Sequence, residues 1–232
     1  SFSQGYKISG EIPIGGSGGW DYLTADSENH RLYISHSTEV VVIDLDSQKV
    51  VGRIAGMSRI HGIALANSLG TGFISDGGGN EIVVFNLKDL SVQNKIKAGM
   101  NPDGIVYDAA SKRVFAFNGR SQDATAIDAS TGAVAGTIKL GGKPEFPVSD
   151  GKESIYVNIE DKNEIVRIDS RSLAVKTHWS ISPCDSPSGL AMSSSSESVA
   201  AACSGFHSRR TPRRIMWSIT LHASVAKEPR RG

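Results

Sequence analysis

Residues 40–54 read VVVIDLDSQKVVGRI. Two Val/Ile-rich runs flank a polar step of Asp, Ser, Gln and Lys, which predicts two antiparallel strands joined by a short turn. The β-branched side chains suit a pleated, buried surface. An Asp at the head of the step can accept hydrogen bonds from the backbone that follows it. One hairpin says little about a fold, so the deciding question is whether it recurs.

It returns as IVVFNLKDLSVQNKI (82–96), ATAIDASTGAVAGTI (124–138) and IVRIDSRSLAVKTHW (165–179), with starts 42, 42 and 41 residues apart. A second pattern precedes each copy: YLTADSENHRLYISH (22–36), GIALANSLGTGFISD (62–76), GIVYDAASKRVFAFN (104–118) and FPVSDGKESIYVNIE (146–160). A fifth begins as GLAMSSSSESVAAAC (189–203), and Asp26, Asn67, Asp108 and Asp150 mark one recurring turn. Each unit therefore holds four short strands, and no segment of the body carries a sustained 3.6-residue apolar period that would predict helix. The fold class predicted is all-β: a β-propeller of four-stranded antiparallel blades, with four full blades and a partial fifth.

These units resemble the YVTN-type (YncE-like) repeats of bacterial secreted β-propellers. There, a P-x-G-apolar-A entry leads to an R-apolar-Y-V-T/S-N strand and then to V-x-V-I-D-x-x-T-G-K-V-V. The matching stretches are NPDGIVYDAASKRVFAFNG, ATAIDASTGAVAGTI and KESIYVNIEDKNEIVRID, within residues 6–203. The resemblance implies a periplasmic or secreted protein whose family members close with seven blades, or about 300 residues. Four blades and half of a fifth therefore predict an open, incomplete ring with an unpaired edge, as in a truncated member. The stretch YKISGEIPIG (6–15) reads as the outermost strand of a preceding blade.

The blade pattern runs through residues 1–203 and stops inside the fifth unit. Residues 204–232, SGFHSRRTPRRIMWSITLHASVAKEPRRG, lack both the strand alternation and the turn Asp. This tail holds seven Lys/Arg against one Glu, leaving 18 basic and 23 acidic residues in the rest, so a formal charge of +1 hides an acidic body and a basic end. Two readings stand: a basic arm for nucleic acid or an anionic surface, and a disordered or frame-shifted, non-family end. The abrupt compositional break in mid-blade favours the second, and no nucleic-acid partner is expected for the body. No apolar run approaches the roughly 18 residues of a membrane-spanning helix.

In a propeller, the loops after the second and fourth strands gather at one mouth of the channel. The residues best placed to converge there are Asp21, His36, His61, Asp103, Asn118, Glu145, Asn158 and Glu160, with Trp20 as an aromatic wall. Such oxygen and imidazole donors can hold a ligand, or a divalent cation such as Ca²⁺. Six-bladed gluconolactonase-like propellers bind a metal in this way. Against that, Asp and Asn commonly do no more than begin turns, and no HExxH-type spacing is present. DSPSG around Ser188 is not a nucleophile elbow. SDGGGN (75–80) precedes a strand rather than a helix, so it does not predict a phosphate cradle. Cys184 and Cys203 fall on one face of one blade, which fits a single disulfide in an oxidising compartment. The expectation is a non-enzymatic binding platform for a protein or small-molecule ligand, without a cofactor. A metal-dependent hydrolase of the gluconolactonase type is the alternative.

Overall fold

The computed structural model describes residue 8, residues 10–193 and 198–205, and residues 219–222, with 204–205 and 219–222 as backbone only. Among the described residues it holds four four-stranded antiparallel sheets and one of three strands, each a meander in chain order. The first sheet is β1 (Trp20–Asp26), β2 (Arg31–His36), β3 (Glu39–Asp44) and β4 (Lys49–Ile54). The second is β5 (Ile60–Ala66), β6 (Thr71–Asp76), β7 (Glu81–Asn86) and β8 (Val92–Lys97). β9 (Pro102–Asp108), β10 (Arg113–Asn118), β11 (Asp123–Asp128) and β12 (Val134–Lys139) form the third. The fourth is β13 (Pro144–Ser149), β14 (Ser154–Ile159), β15 (Glu164–Asp169) and β16 (Val175–Ser180). The fifth is β17 (Asp185–Ser193), β18 (Ser198–Gly205) and β19 (Ile219–His222).

The opening hairpin is β3–β4, with Val42 opposite Gly52 and Asp44 opposite Lys49. Its turn is chemically repeated. Asp44, Asn86, Asp128 and Asp169 each accept a backbone N–H three residues on or closer, from Ser47 (2.7 Å), Lys88 (2.7 Å), Thr131 (2.9 Å) and Ser172 (2.8 Å). Four residues after each acceptor the chain turns left-handed, at Gln48, Leu90, Gly132 and Leu173. The side-chain acceptor satisfies the turn, so three of the four copies tolerate a residue other than glycine there.

The sheets stand side by side with β1, β5, β9, β13 and β17 innermost and packed in succession. Successive side chains on a strand point to opposite faces, so each middle strand feeds two cores. Val83 and Phe85 enter the core between the first two sheets, where they meet Tyr33, Val40 and Val42. Ile82 and Val84 enter the next, with Phe73, Ile105 and Val114. Phe115 and Phe117 meet Ile155, Val157 and Ile159 in the third. Tyr156 and Ile165 meet Leu190 and Val199 in the fourth. This two-sided burial explains why the middle strands read as unbroken apolar runs. Fully burying one such side chain stabilises the fold by roughly 1.5–3 kcal/mol. The turns also tie sheets together: Asn67 Nδ2 donates to Asp26 Oδ1 (2.9 Å), and Ser149 Oγ to Asp108 Oδ1 (2.6 Å).

A packed core joins each successive pair of sheets, and among the described residues none joins the fifth sheet to the first, so the ring is open. The N-terminal stretch differs from its expected role as an outer strand. Residues 8 and 10–15 form no strand. Ile12 and Ile14 instead lie against Ile34, Val41 and Ile43, on the face of the first sheet turned away from the second. Arg53 Nη2 holds the segment through Ile14 O at 2.7 Å. Apolar residues there satisfy a bare sheet face, which needs no strand register. In the tail, β19 runs antiparallel to β18 with Ser198 opposite His222, so a third strand does form on the fifth sheet, and the boundary placed at residue 203 lies within β18. The rest of residues 204–232 lies outside the described residues. Cys184 and Cys203 are joined in a disulfide.

Candidate ligand site at the channel mouth

Every inner strand of the four complete sheets carries a β-bulge at the same place. Two residues on the inner strand oppose one on its neighbour: Asp21–Tyr22 face Ser35, His61–Gly62 face Ser75, Asp103–Gly104 face Phe117, and Glu145–Phe146 face Asn158. A bulge bends the strand and re-aims its side chains. Here the first bulge residue of four successive blades is Asp, His, Asp and Glu. Neighbouring blades pin these bulges: Ser35 Oγ donates to His61 O, and Ser75 Oγ donates to Asp103 O at 2.5 Å. Gly104 permits the closest approach, since a Cβ there would stand 2.2 Å from Glu145 O.

The side chains meet as the repeat dictates. His61 Nδ1 lies 2.6 Å from Asp21 Oδ2 and 3.7 Å from Asp103 Oδ1. One ligand atom from each of Asp21, His61 and Asp103 falls within 4.8 Å of the others. Beside them, Lys143 Nζ is paired with Glu160 and lies 3.5 Å from Glu145 Oε2. Glu145 Oε2 is buried and has no hydrogen-bond partner. The ring of Tyr22 meets Phe146 edge-on at 5.1 Å, bringing the first and fourth inner strands together.

The electrostatics follow from burial among like charges. Burial, with Asp103 next in weight, pushes the Glu145 carboxyl up to about 7. Burial also raises Asp103, against the opposing pull of His61, and drives the Tyr22 phenol far above its usual range. Burial by itself would lower His61. The hydrogen bond with Asp21 and the charge of Asp103 outweigh it and hold the imidazole above its ordinary value. The Glu160 hydrogen bond raises Lys143. A carboxyl that titrates near neutrality in a recess is a common mark of a functional site.

Of the residues named from sequence, the structure brings Asp21, His61, Asp103 and Glu145 to one place and attaches Glu160 through Lys143. It does not bring the others to that point. His36 is buried under Trp20, their rings stacked at 3.7 Å, and Trp20 is half-exposed. Asn118 is turned into its own sheet, donating to Asp123 Oδ1 (2.8 Å) and Thr125 Oγ1 (3.0 Å). Asn158 is buried and accepts from the Phe146 backbone N–H at 2.6 Å, bracing the fourth bulge. Sequence reasoning missed Tyr22 and Lys143. Lys143 stands in the loop GGKPEFP (141–147) beside Glu145, and the charge balance of that loop was the available signal. Tyr22 shares its bulge position with Gly62, Gly104 and Phe146, so no common residue type marks it.

No protein-family model matches the chain, and no curated protein matches it. Solved structures do. Hydrazine synthase of Kuenenia stuttgartiensis superposes with a TM-score of 0.73 at 17% identity, over 88% of this chain and 59% of that one. The β-propeller domain of Myceliophteria thermophila Cps50 (Swd1) gives a TM-score of 0.68 at 12% identity, over 81% of this chain and 63% of that one. The chain thus spans about three fifths of the length of these structures. At such identities the likeness is one of architecture, and the architecture is the β-propeller.

Proposed function

We propose that the chain is a non-enzymatic binding propeller of the YVTN type, acting in the periplasm or outside a bacterial cell, which receives a positively charged ligand or peptide segment at its channel mouth. One observation carries the reading: four successive blades present Asp21, His61, Asp103 and Glu145 from the same bulge. Arg59 is engaged by Asn101, and Lys143 by Glu160. Four carboxyls, Asp21, Asp103, Glu145 and Glu160, face three cationic side chains, His61, Lys143 and Arg59, a balance that favours a cationic guest. The Cys184–Cys203 disulfide supports an oxidising compartment. No helix among the described residues is long and apolar enough to cross a membrane.

Calorimetry with spermidine, hexa-arginine and citrate tests the reading. The two cationic probes bind, citrate does not, and the Asp21→Asn/Asp103→Asn double variant weakens the cationic probes at least about tenfold, as loss of about 1.4 kcal/mol requires. Absence of cationic binding at millimolar concentration, or equal binding by the variant, refutes it. The grouping of Asp21, His61 and Asp103 also favours a second reading, a metal-dependent hydrolase of the gluconolactonase type. Metal-stimulated opening of gluconolactone by this chain would move the assignment there.

A further inference from the structure

We propose that Asp21, His61 and Asp103 form a site for one divalent first-row transition-metal ion, with Zn²⁺ and Mn²⁺ preferred over Ca²⁺. The inference rests on the reading of the mouth as the binding face and specifies what the face first takes up. The geometry is close to what such an ion needs. Bonds of about 2.0–2.2 Å in a tetrahedral site place donor atoms about 3.5 Å apart. The Nδ1 contacts of His61, 2.6 Å to Asp21 and 3.7 Å to Asp103, bracket that separation. Small side-chain rotations on a fixed backbone would open the first of them.

The donors sit on hydrogen-bonded inner strands of three successive blades, and Ser35 and Ser75 fix the carbonyls of two of them. Such a scaffold holds ligand positions better than loops do. The charges agree. Two carboxylates face one imidazole, with Lys143 shared between Glu160 and Glu145 and Arg59 bonded to the neutral amide of Asn101. Glu145 adds a third carboxyl whose Oε2 is buried without a hydrogen-bond partner. A divalent cation would balance the carboxylates of Asp21 and Asp103 more fully than the imidazole alone does. One nitrogen and two carboxylate donors select against Ca²⁺, which takes six to eight oxygens, and for metals that accept imidazole. Three protein ligands leave a coordination position open, so the bound ion could take an oxygen of a second ligand. The competing account is that His61 is simply an ion-paired clamp across three blades, in which case no metal is required.

The test begins with EDTA-stripped full-length protein and calorimetric titration of Zn²⁺, Mn²⁺ and Ca²⁺. One Zn²⁺ or Mn²⁺ binds per chain, Ca²⁺ binds at least about tenfold more weakly, and His61→Ala and Asp103→Asn each lower affinity by about 100-fold or more. Substitution of the exposed histidines His30 and His178 by Ala leaves binding unchanged. In case the site variants misfold, Mn²⁺ broadening of histidine ring signals in the unmodified chain gives a second readout, with His61 broadened first. No stoichiometric binding overturns the proposal. So does binding that survives in the folded His61 and Asp103 variants, or broadening that favours His30 or His178. Binding of hexa-arginine without any metal binding would leave the cationic-ligand reading standing and remove this one.

Discussion

Replacing Glu145 by Gln removes a carboxyl that the fold holds in its protonated form up to neutrality. Burial, then the charge of Asp103, raises its pKa from 4.5 to about 7. A raised folded-state pKa means the folded chain binds this proton more tightly than the unfolded chain does. The corresponding stability is complete below pH 4.5 and is lost as the pH rises through 7. A shift of about 2.5 units at 1.36 kcal/mol per unit sets a ceiling of about 3.4 kcal/mol. The carboxyl is partly open to solvent and Lys143 lies 3.5 Å away, so screening reduces the effect to about 1–2 kcal/mol. Gln keeps the shape and carries no charge. Urea unfolding of both proteins in EDTA, at pH 4.5, 6, 7 and 8.5, reads the difference. The two coincide near pH 4.5, and the variant becomes the more stable by about 1–2 kcal/mol at pH 8.5. A pH-independent difference, or a variant that loses ground as the pH rises, refutes the argument that Glu145 is a desolvated carboxyl.

Three further outcomes are expected. Reduction of Cys184–Cys203, 19 residues apart, destabilises the fifth sheet by about 3 kcal/mol, read as a reductant-dependent fall in its urea midpoint. Two titratable thiols in the unreduced, denatured chain would contradict the bond. Gly104→Ala places a Cβ 2.2 Å from the Glu145 carbonyl and 2.5 Å from Pro147 Cδ, a backbone oxygen and a closed ring that cannot swing aside. It lowers stability by about 1–3 kcal/mol and disturbs the mouth as well, so unchanged melting would show that the bulges are not closely apposed. Gln48→Gly, at a φ of +55° in an exposed turn, raises stability by about 0.5–1 kcal/mol, and a lowered thermal midpoint would show that the turn is not left-handed.

The blades were legible because turn chemistry and strand period repeat together. The acceptors Asp44, Asn86, Asp128 and Asp169 fix where each hairpin folds, and the even-numbered alternation fixes which residues go inward. The site was legible only as a set of loops. Whether a polar residue at the end of a strand faces the channel or the sheet depends on the bulge register, and a one-residue slip reverses the face. Asn118 and Glu145 look alike as strand-end polar residues. One lies on a regular strand and bonds inside its sheet, while the other lies on a bulge and reaches the mouth. The N-terminal stretch misled for a related reason. Ile12 and Ile14 fit a strand pattern, yet apolar spacing cannot distinguish pairing at a sheet edge from covering a sheet face. Plain turns after β5 and β14 are single 3₁₀ turns, Asn67–Leu69 and Glu160–Lys162, each ended by a left-handed residue, Gly70 and Asn163.

The repeated bulge separates what the chain recognises from what holds it together. Middle-strand side chains are each locked between two sheets, so an exchange there disturbs a packed core. Positions 21, 61, 103 and 145 stand at the rim and contribute no side chain to those cores. Exchanges at these four positions therefore act on the mouth and leave the apolar packing between the sheets in place. A propeller built this way behaves as a rack with one interchangeable reader per blade, and libraries randomised at those four positions should change what it captures long before they change whether it folds.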